Sequence, residues 1–146
     1  MVLGWNMPTP ALSSSIVRLP ESEKITINLG FVDLGQIDLL VAEGFYSNRT
    51  DFIRTAIRNQ LSTQAEAVRQ VTTRRMLVLG LQHFGVAELE AARAAGEKLQ
   101  IRVLGLASIA PDVDPELARA TIESIAVLGA LHASPALKQA LADRIA

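Results

Sequence analysis

The stretch KITINLG, Lys24 to Gly30, decides how the first half of the chain folds. It alternates strictly. Ile25, Ile27 and Leu29 point to one side, and Lys24, Thr26 and Asn28 to the other, which is the period-2 pattern of a half-buried strand. No second strand follows it, since the residues up to about Val68 read as helix, turn, helix. A lone strand leaves its N–H and C=O groups unpaired. The alternation therefore predicts a strand whose partner comes from elsewhere.

The helical part is patterned clearly. In FVDLGQIDLLVAEG, residues Leu34, Ile37, Leu40 and Val41 recur at helical spacing, and Gly44 supplies the left-handed stop. Gly35 inside this helix costs about 1 kcal/mol against alanine, which a close backbone approach would explain. FYSN reads as a turn. Asn48, with Asp51 three residues on, resembles a capping box opening the next helix. In RTDFIRTAIRNQL, residues Phe52, Ile53, Ala56, Ile57 and Leu61 share one face, while Arg49, Arg54 and Arg58 leave it. Arg54 and Arg58 are expected in surface ion pairs. The helix is expected to reach about Val68, with Gln70–Arg75 as a polar joint.

A strand and two helices of this size bury too little to be stable alone. Two chains that pair their strands antiparallel remove the difficulty. Ile25, Ile27 and Leu29 of both copies then lie on a four-helix core, and each strand satisfies the other across a two-fold axis.

KITINLG, the helix ending in EGFY and the block SNRTDFIRTAIRNQL together resemble the ribbon-helix-helix fold of the Arc, MetJ and CopG repressors, over about Glu23 to Ser62. Phe31 stands where relatives often begin the helix with proline. The resemblance implies an intertwined β-α-α dimer that lays its two-stranded ribbon in the major groove of DNA. It places the base-reading positions on Lys24, Thr26 and Asn28. It places the phosphate clamp at the start of the second helix, on Ser47, Asn48, Arg49 and Thr50. The chemistry agrees. Lys24 can donate to guanine O6 and N7, Asn28 can pair with adenine N6 and N7, and Thr26 can donate, accept or meet a thymine methyl. The free N–H groups of a helix start favour a phosphate. As ordinary surface, the same residues would be a solvated strand face and a helix cap.

The rest of the chain repeats itself. VLG recurs at 78–80, 103–105 and 127–129, and each copy opens a short β run, a turn and an Ala/Leu-rich helix. Such a period predicts about three stacked β/α units with a shared core. Asp112 and Asp114 before Pro115 read as a helix start with proline in the first helical position. His83 and His132 share an offset within their units and are expected as surface turn residues, because two histidines without a carboxylate make a poor metal site.

Composition narrows the function. The chain has 146 residues, 49% of them hydrophobic, and no cysteine, so no disulfide framework, thiolate site or cysteine nucleophile is available. Formal net charge is −1, with the mildly basic balance lying in residues 22–75. Apolar runs fall short of a membrane span. No nucleophile elbow, phosphate loop or metalloprotease motif occurs. The expected organisation is an N-terminal arm over 1–21, a ribbon-helix-helix domain over 22–68 and a β/α-repeat oligomerisation domain over 76–146.

The expected function is a sequence-specific DNA-binding transcriptional regulator, a repressor. It would be cytoplasmic and nucleoid-associated, with double-stranded DNA as partner, without cofactor, metal or membrane, and not an enzyme. Homodimers would form through the ribbon and higher homo-oligomers or filaments through 76–146. Two other readings stay open: an antitoxin-type regulator whose C-terminal half binds a partner protein, and a filament-forming structural protein.

Overall fold

The computed structural model describes residues 22–146, so the arm expected over 1–21, with Trp5, lies outside the described residues. Helix α1 (Phe31–Ala42) begins directly after Gly30. It buries Ile37 and half-buries Leu34, Leu40 and Val41, the face that its spacing predicts. Gly44, at φ 83°, closes it in a Schellman arrangement. The Phe45 N–H donates to the Leu40 carbonyl at 3.0 Å and the Gly44 N–H to the Val41 carbonyl at 3.1 Å. A Cβ on Gly35 would meet nothing within 4 Å, so no close approach inside one chain accounts for that glycine.

Helix α2 (Arg49–Thr63) is shorter than its sequence suggests. The helix breaks at Gln64 and a separate helix α3 (Ala65–Arg74) follows. The expected joint at Gln70–Arg75 is therefore mostly helix. Its threonines are accommodated because Thr72 and Thr73 donate their hydroxyls back to the carbonyls of Val68 and Arg69. The actual joint is Met76, held at φ 53° while the Leu77 N–H donates to the Thr72 carbonyl and the Met76 N–H to that of Thr73. This is the same helix stop as at Gly44, made by a residue without glycine's freedom. Arg54 and Arg58 form no ion pair among the described residues, against expectation; both sit on solvent-facing turns of α2, where a pair gains little over hydration.

The three repeat units fold as their period predicts. Strands β1 (Val78–Phe84), β2 (Leu99–Ile109) and β3 (Ile122–His132) lie parallel in the order β1-β2-β3. Helices α4 (Val86–Ala94), α5 (Pro115–Thr121) and α6 (Pro135–Ala140) connect or follow them. Asp114 caps α5 by accepting from the Glu116 N–H at 3.0 Å, with Pro115 at the first helical position. The three helices cover one face of the sheet. There Leu89, Leu117 and Leu137 close over Ile101, Val103, Ile122 and Ile125 in a single buried cluster.

The repeats match in register: Val78, Val103 and Val127 form one row, and Gly80, Gly105 and Gly129 another. A Cβ on Gly105 would stand 2.2 Å from the Gly80 carbonyl oxygen, and one on Gly129 would stand 2.0 Å from that of Gly105. All three have positive φ, between 120° and 141°. Gly105 and Gly129 are thus required twice over, by backbone conformation and by the carbonyl of the preceding strand, and Gly80 by backbone conformation alone.

His83 and His132 are strand residues and not turn residues. They occupy one row with Ser108 between them, because the units stack in register. Among the described residues no group of three potential metal ligands occurs.

Candidate nucleic-acid interface

Residues Ser22–Leu29 form no strand within the chain, and among the described residues their backbone makes no hydrogen bond. Lys24, Thr26 and Asn28 are exposed, as the polar face of the alternation requires. The apolar face is exposed too: Ile25 is 73% and Ile27 57% accessible, with only Leu29 half-buried. Within the described residues, nothing pairs with the backbone of this segment or covers Ile25 and Ile27.

The start of α2 is built by its own side chains. Asn48 has extended backbone and its Oδ1 accepts from the Asp51 N–H at 2.8 Å. Asp51 returns the bond one residue further out than in a standard capping box, its Oδ2 accepting from the Ser47 N–H at 3.0 Å. The loop is pinned beneath by an edge-to-face pair of Tyr46 and Phe52, ring centres 5.0 Å apart. With these two N–H groups taken, those of Arg49 and Thr50 remain at the positive end of the helix and point outward.

Arg49 is not a free cation. Its Nε and Nη2 donate to Asp38 Oδ1 and Oδ2 at 2.8 and 2.7 Å, a bidentate pair joining α1 to α2 across the turn. The Arg49 hydrogen bonds hold the Asp38 carboxyl below its ordinary range, and Asp38 raises Arg49 in return. The Nη1 edge has no protein partner among the described residues. Asp38 is not legible from the sequence, since its pairing with Arg49, eleven residues on, depends on how the intervening turn closes.

Asn28 and Arg49 line the same concavity of about 530 Å³, together with Ile27, Leu29, Leu34 and Ile53. The ribbon segment and the α2 start therefore meet at one site. Lys24 and Thr26 lie outside this concavity, along the exposed segment.

The ribbon-helix-helix transcriptional regulator family matches the chain over residues 20–138. The chain belongs to that family, whose members bind DNA, typically as dimers. The match reaches past the helices and takes in the β/α array as far as α6. Neither the curated proteins nor the solved structures yield a match. Among the described residues no helix is long and apolar enough to cross a membrane.

Proposed function

We propose that the protein is a dimeric, sequence-specific repressor. Residues 24–30 of two copies form an antiparallel ribbon that enters the major groove. Lys24, Thr26 and Asn28 from each copy read base edges, and Ser47, Asn48, Arg49 and Thr50 hold the flanking phosphates. The carrying observation is the bare segment at Ser22–Leu29, which is exposed on both faces and unpaired in a chain of this family. A groove about 12 Å wide admits such a ribbon.

The operator is then a pseudo-palindrome or a tandem set of short half-sites, because protein two-fold symmetry is mirrored in DNA. Residues 76–146 carry the self-association that gives avidity to a domain of weak net charge. Their own buried core favours a self-contained assembly domain over an antitoxin tail that folds on its target. The chemistry is binding and not catalysis, and it belongs in the cytoplasm with the nucleoid.

The test begins by selecting the preferred operator from a pool of randomised duplexes. Lys24→Ala and Asn28→Ala are each expected to lose about 1–3 kcal/mol of discrimination at particular base pairs. Arg49→Ala is expected to weaken all duplexes alike and to lower the salt slope by about one. A double Lys24→Ala, Asn28→Ala protein that selects the same operator sequence as the natural chain would move the readout elsewhere.

A further inference from the structure

Among the described residues, helices of the β/α array cover one face only of its sheet. The opposite face carries the row Leu79, Leu104, Leu128 and the row Leu81, Leu106, Ala130. Leu79 is 75% and Leu81 59% accessible. No helix of the array crosses this face.

What borders it is α3 at one end and, at the His132 end, Ser22 and Glu23, which share a concavity with Leu81, Leu106, Ala130 and His132. Ala67, Val68 and Val71 face Leu77, Leu104 and Leu128 across an apolar groove of about 320 Å³. The apolar side chains of α3 continue those of α2. Ile57, Leu61, Val68 and Val71 follow at helical spacing on either side of the break at Gln64, and all four are exposed. The stripe begins on the α2 face that the ribbon partner is proposed to cover and ends on the bare face of the sheet.

One strand edge is a weaker candidate for association. Ile145 pairs parallel with Ile125, and the Ala146 N–H donates to the Ile125 carbonyl at 2.8 Å, so the first part of the outer edge of β3 is already occupied.

We infer that the copy supplying the second ribbon strand also covers the open face of this sheet, so that one two-fold interface runs from residue 25 through α2 and α3 to the row Leu79–Leu104–Leu128. The occupant is a second copy of this chain. The exposed side chains Ile57, Leu61, Val68 and Val71 lead from the proposed dimer interface of the DNA-binding half to the open side of the array. Contiguous exposed apolar patches mark interaction sites more often than plain surface. A two-fold contact presents the same patch on both copies, so the leucine rows meet leucine rows. The inference rests on the dimer proposed above and says where that dimer continues.

The natural absence of cysteine makes a clean test possible. Single cysteines are placed in the full chain at Leu79, Leu104 or Leu128 on the face, at Ile27 on the ribbon, and at Glu90, exposed on α4. Each protein is treated with a short bifunctional maleimide, and the native particle is sized in parallel.

The expected result is a covalent dimer from Ile27→Cys and from at least one face variant, none from Glu90→Cys, with the face cross-link already present in the two-chain particle. Leu79→Glu, at a site exposed enough to leave the single chain folded, is expected to raise the dimer dissociation constant at least tenfold. Cross-linking at Ile27→Cys alone, with Leu79→Glu neutral, overturns the inference and leaves the ribbon dimer standing; the face would then be covered by its own chain or by a different protein. Face cross-links confined to particles larger than two chains overturn it as well, because the covering copy would not be the ribbon partner. Failure of Ile27→Cys to cross-link would instead count against the dimer reading itself.

Discussion

The two halves of this protein answer the same problem in opposite ways. In residues 78–146 the isoleucines of the pattern are hidden inside one chain: Ile122 and Ile125 are 0% accessible. In residues 22–74 the isoleucines of the ribbon segment stand in solvent, and Ile37 is the only fully buried hydrophobic residue. Both halves carry regular apolar patterns. The difference is the number of elements per chain. Three strands with their helices make enough surface for a closed core, whereas one strand and two or three helices do not. The alternating segment therefore leaves its apolar side chains exposed within one chain, whereas the strand repeated three times in register builds a buried core within one chain.

This contrast can be broken most forcefully at the glycine row. Gly105→Ala and Gly129→Ala combine a positive φ with a Cβ driven into the carbonyl of the preceding strand. Each is expected to cost roughly 3 kcal/mol or more. Gly80→Ala has the same backbone conformation but no neighbouring atom within 4 Å. It is expected to cost about 1–3 kcal/mol, from backbone strain alone. Urea unfolding of the three proteins checks the order. Equal losses at all three positions would show that conformation and not strand contact selects these glycines. If DNA binding by the N-terminal half survives in Gly129→Ala, the halves are separate folding units; if it disappears with the sheet, they are one.

Sequence alone showed much of this architecture, for reasons that differ along the chain. Gly44 announced the end of α1 because a left-handed C′ position favours glycine. The VLG repeats announced the sheet and its register because a glycine ladder tolerates no substitute. The capping of α2 by Asn48 was visible in residue type and spacing. What stayed hidden had no local signal. The break at Gln64 involves neither glycine nor proline. The stop at Met76 uses the hydrogen bonds of a glycine stop without the glycine. Thr72 and Thr73 read as a loop because threonine competes with helix, and their bonds to the preceding turn decided otherwise. At the candidate site, Lys24, Thr26 and Asn28 were legible from alternation and resemblance. The pairing of Arg49 with Asp38 was not, since it depends on how tightly the intervening turn closes.

Smaller effects sharpen the comparison on the N-terminal side. Asn48→Ala removes the acceptor of the Asp51 N–H and is expected to cost about 1 kcal/mol. Asn48→Asp should keep most of it. With the proposed dimer as the folded unit of this half, the loss should appear as a lower thermal midpoint that rises with protein concentration. The corresponding cap in the other half, Ser134 accepting from the Leu137 N–H at 3.2 Å, offers a contrast. Ser134→Ala should lower a midpoint that does not depend on concentration, provided the array folds within one chain. A concentration dependence there would show that the array also needs its second copy to fold, and the contrast between the halves would then be one of degree.

The smallest expected effect concerns Asp38, and its sign follows from the pairing. The hydrogen bonds from Arg49 lower the Asp38 pKa in the folded protein. A group with a depressed folded pKa contributes stability that is complete above its unfolded value, near pH 4, and is lost as pH falls through the folded value. Glu66, paired with Arg69, and Asp143, paired with Arg119, shift in the same direction for the same reason. All three pairs are solvent-exposed, so the contributions are small and screened by salt.

The stability difference between the natural chain and Asp38→Asn should therefore be constant from neutral pH down to about pH 4. Below that it should shrink, and it should shrink again at neutral pH in high salt. Function gives the same substitution a second readout of opposite direction. Asp38 holds two donors of the guanidinium proposed to meet a phosphate, and it adds a negative charge beside that phosphate. Removing the charge should tighten binding to all duplexes while loosening the fold. If Asp38→Asn instead weakens DNA binding in step with stability, the pair serves to place Arg49 against the phosphate, and orientation outweighs charge at the start of α2.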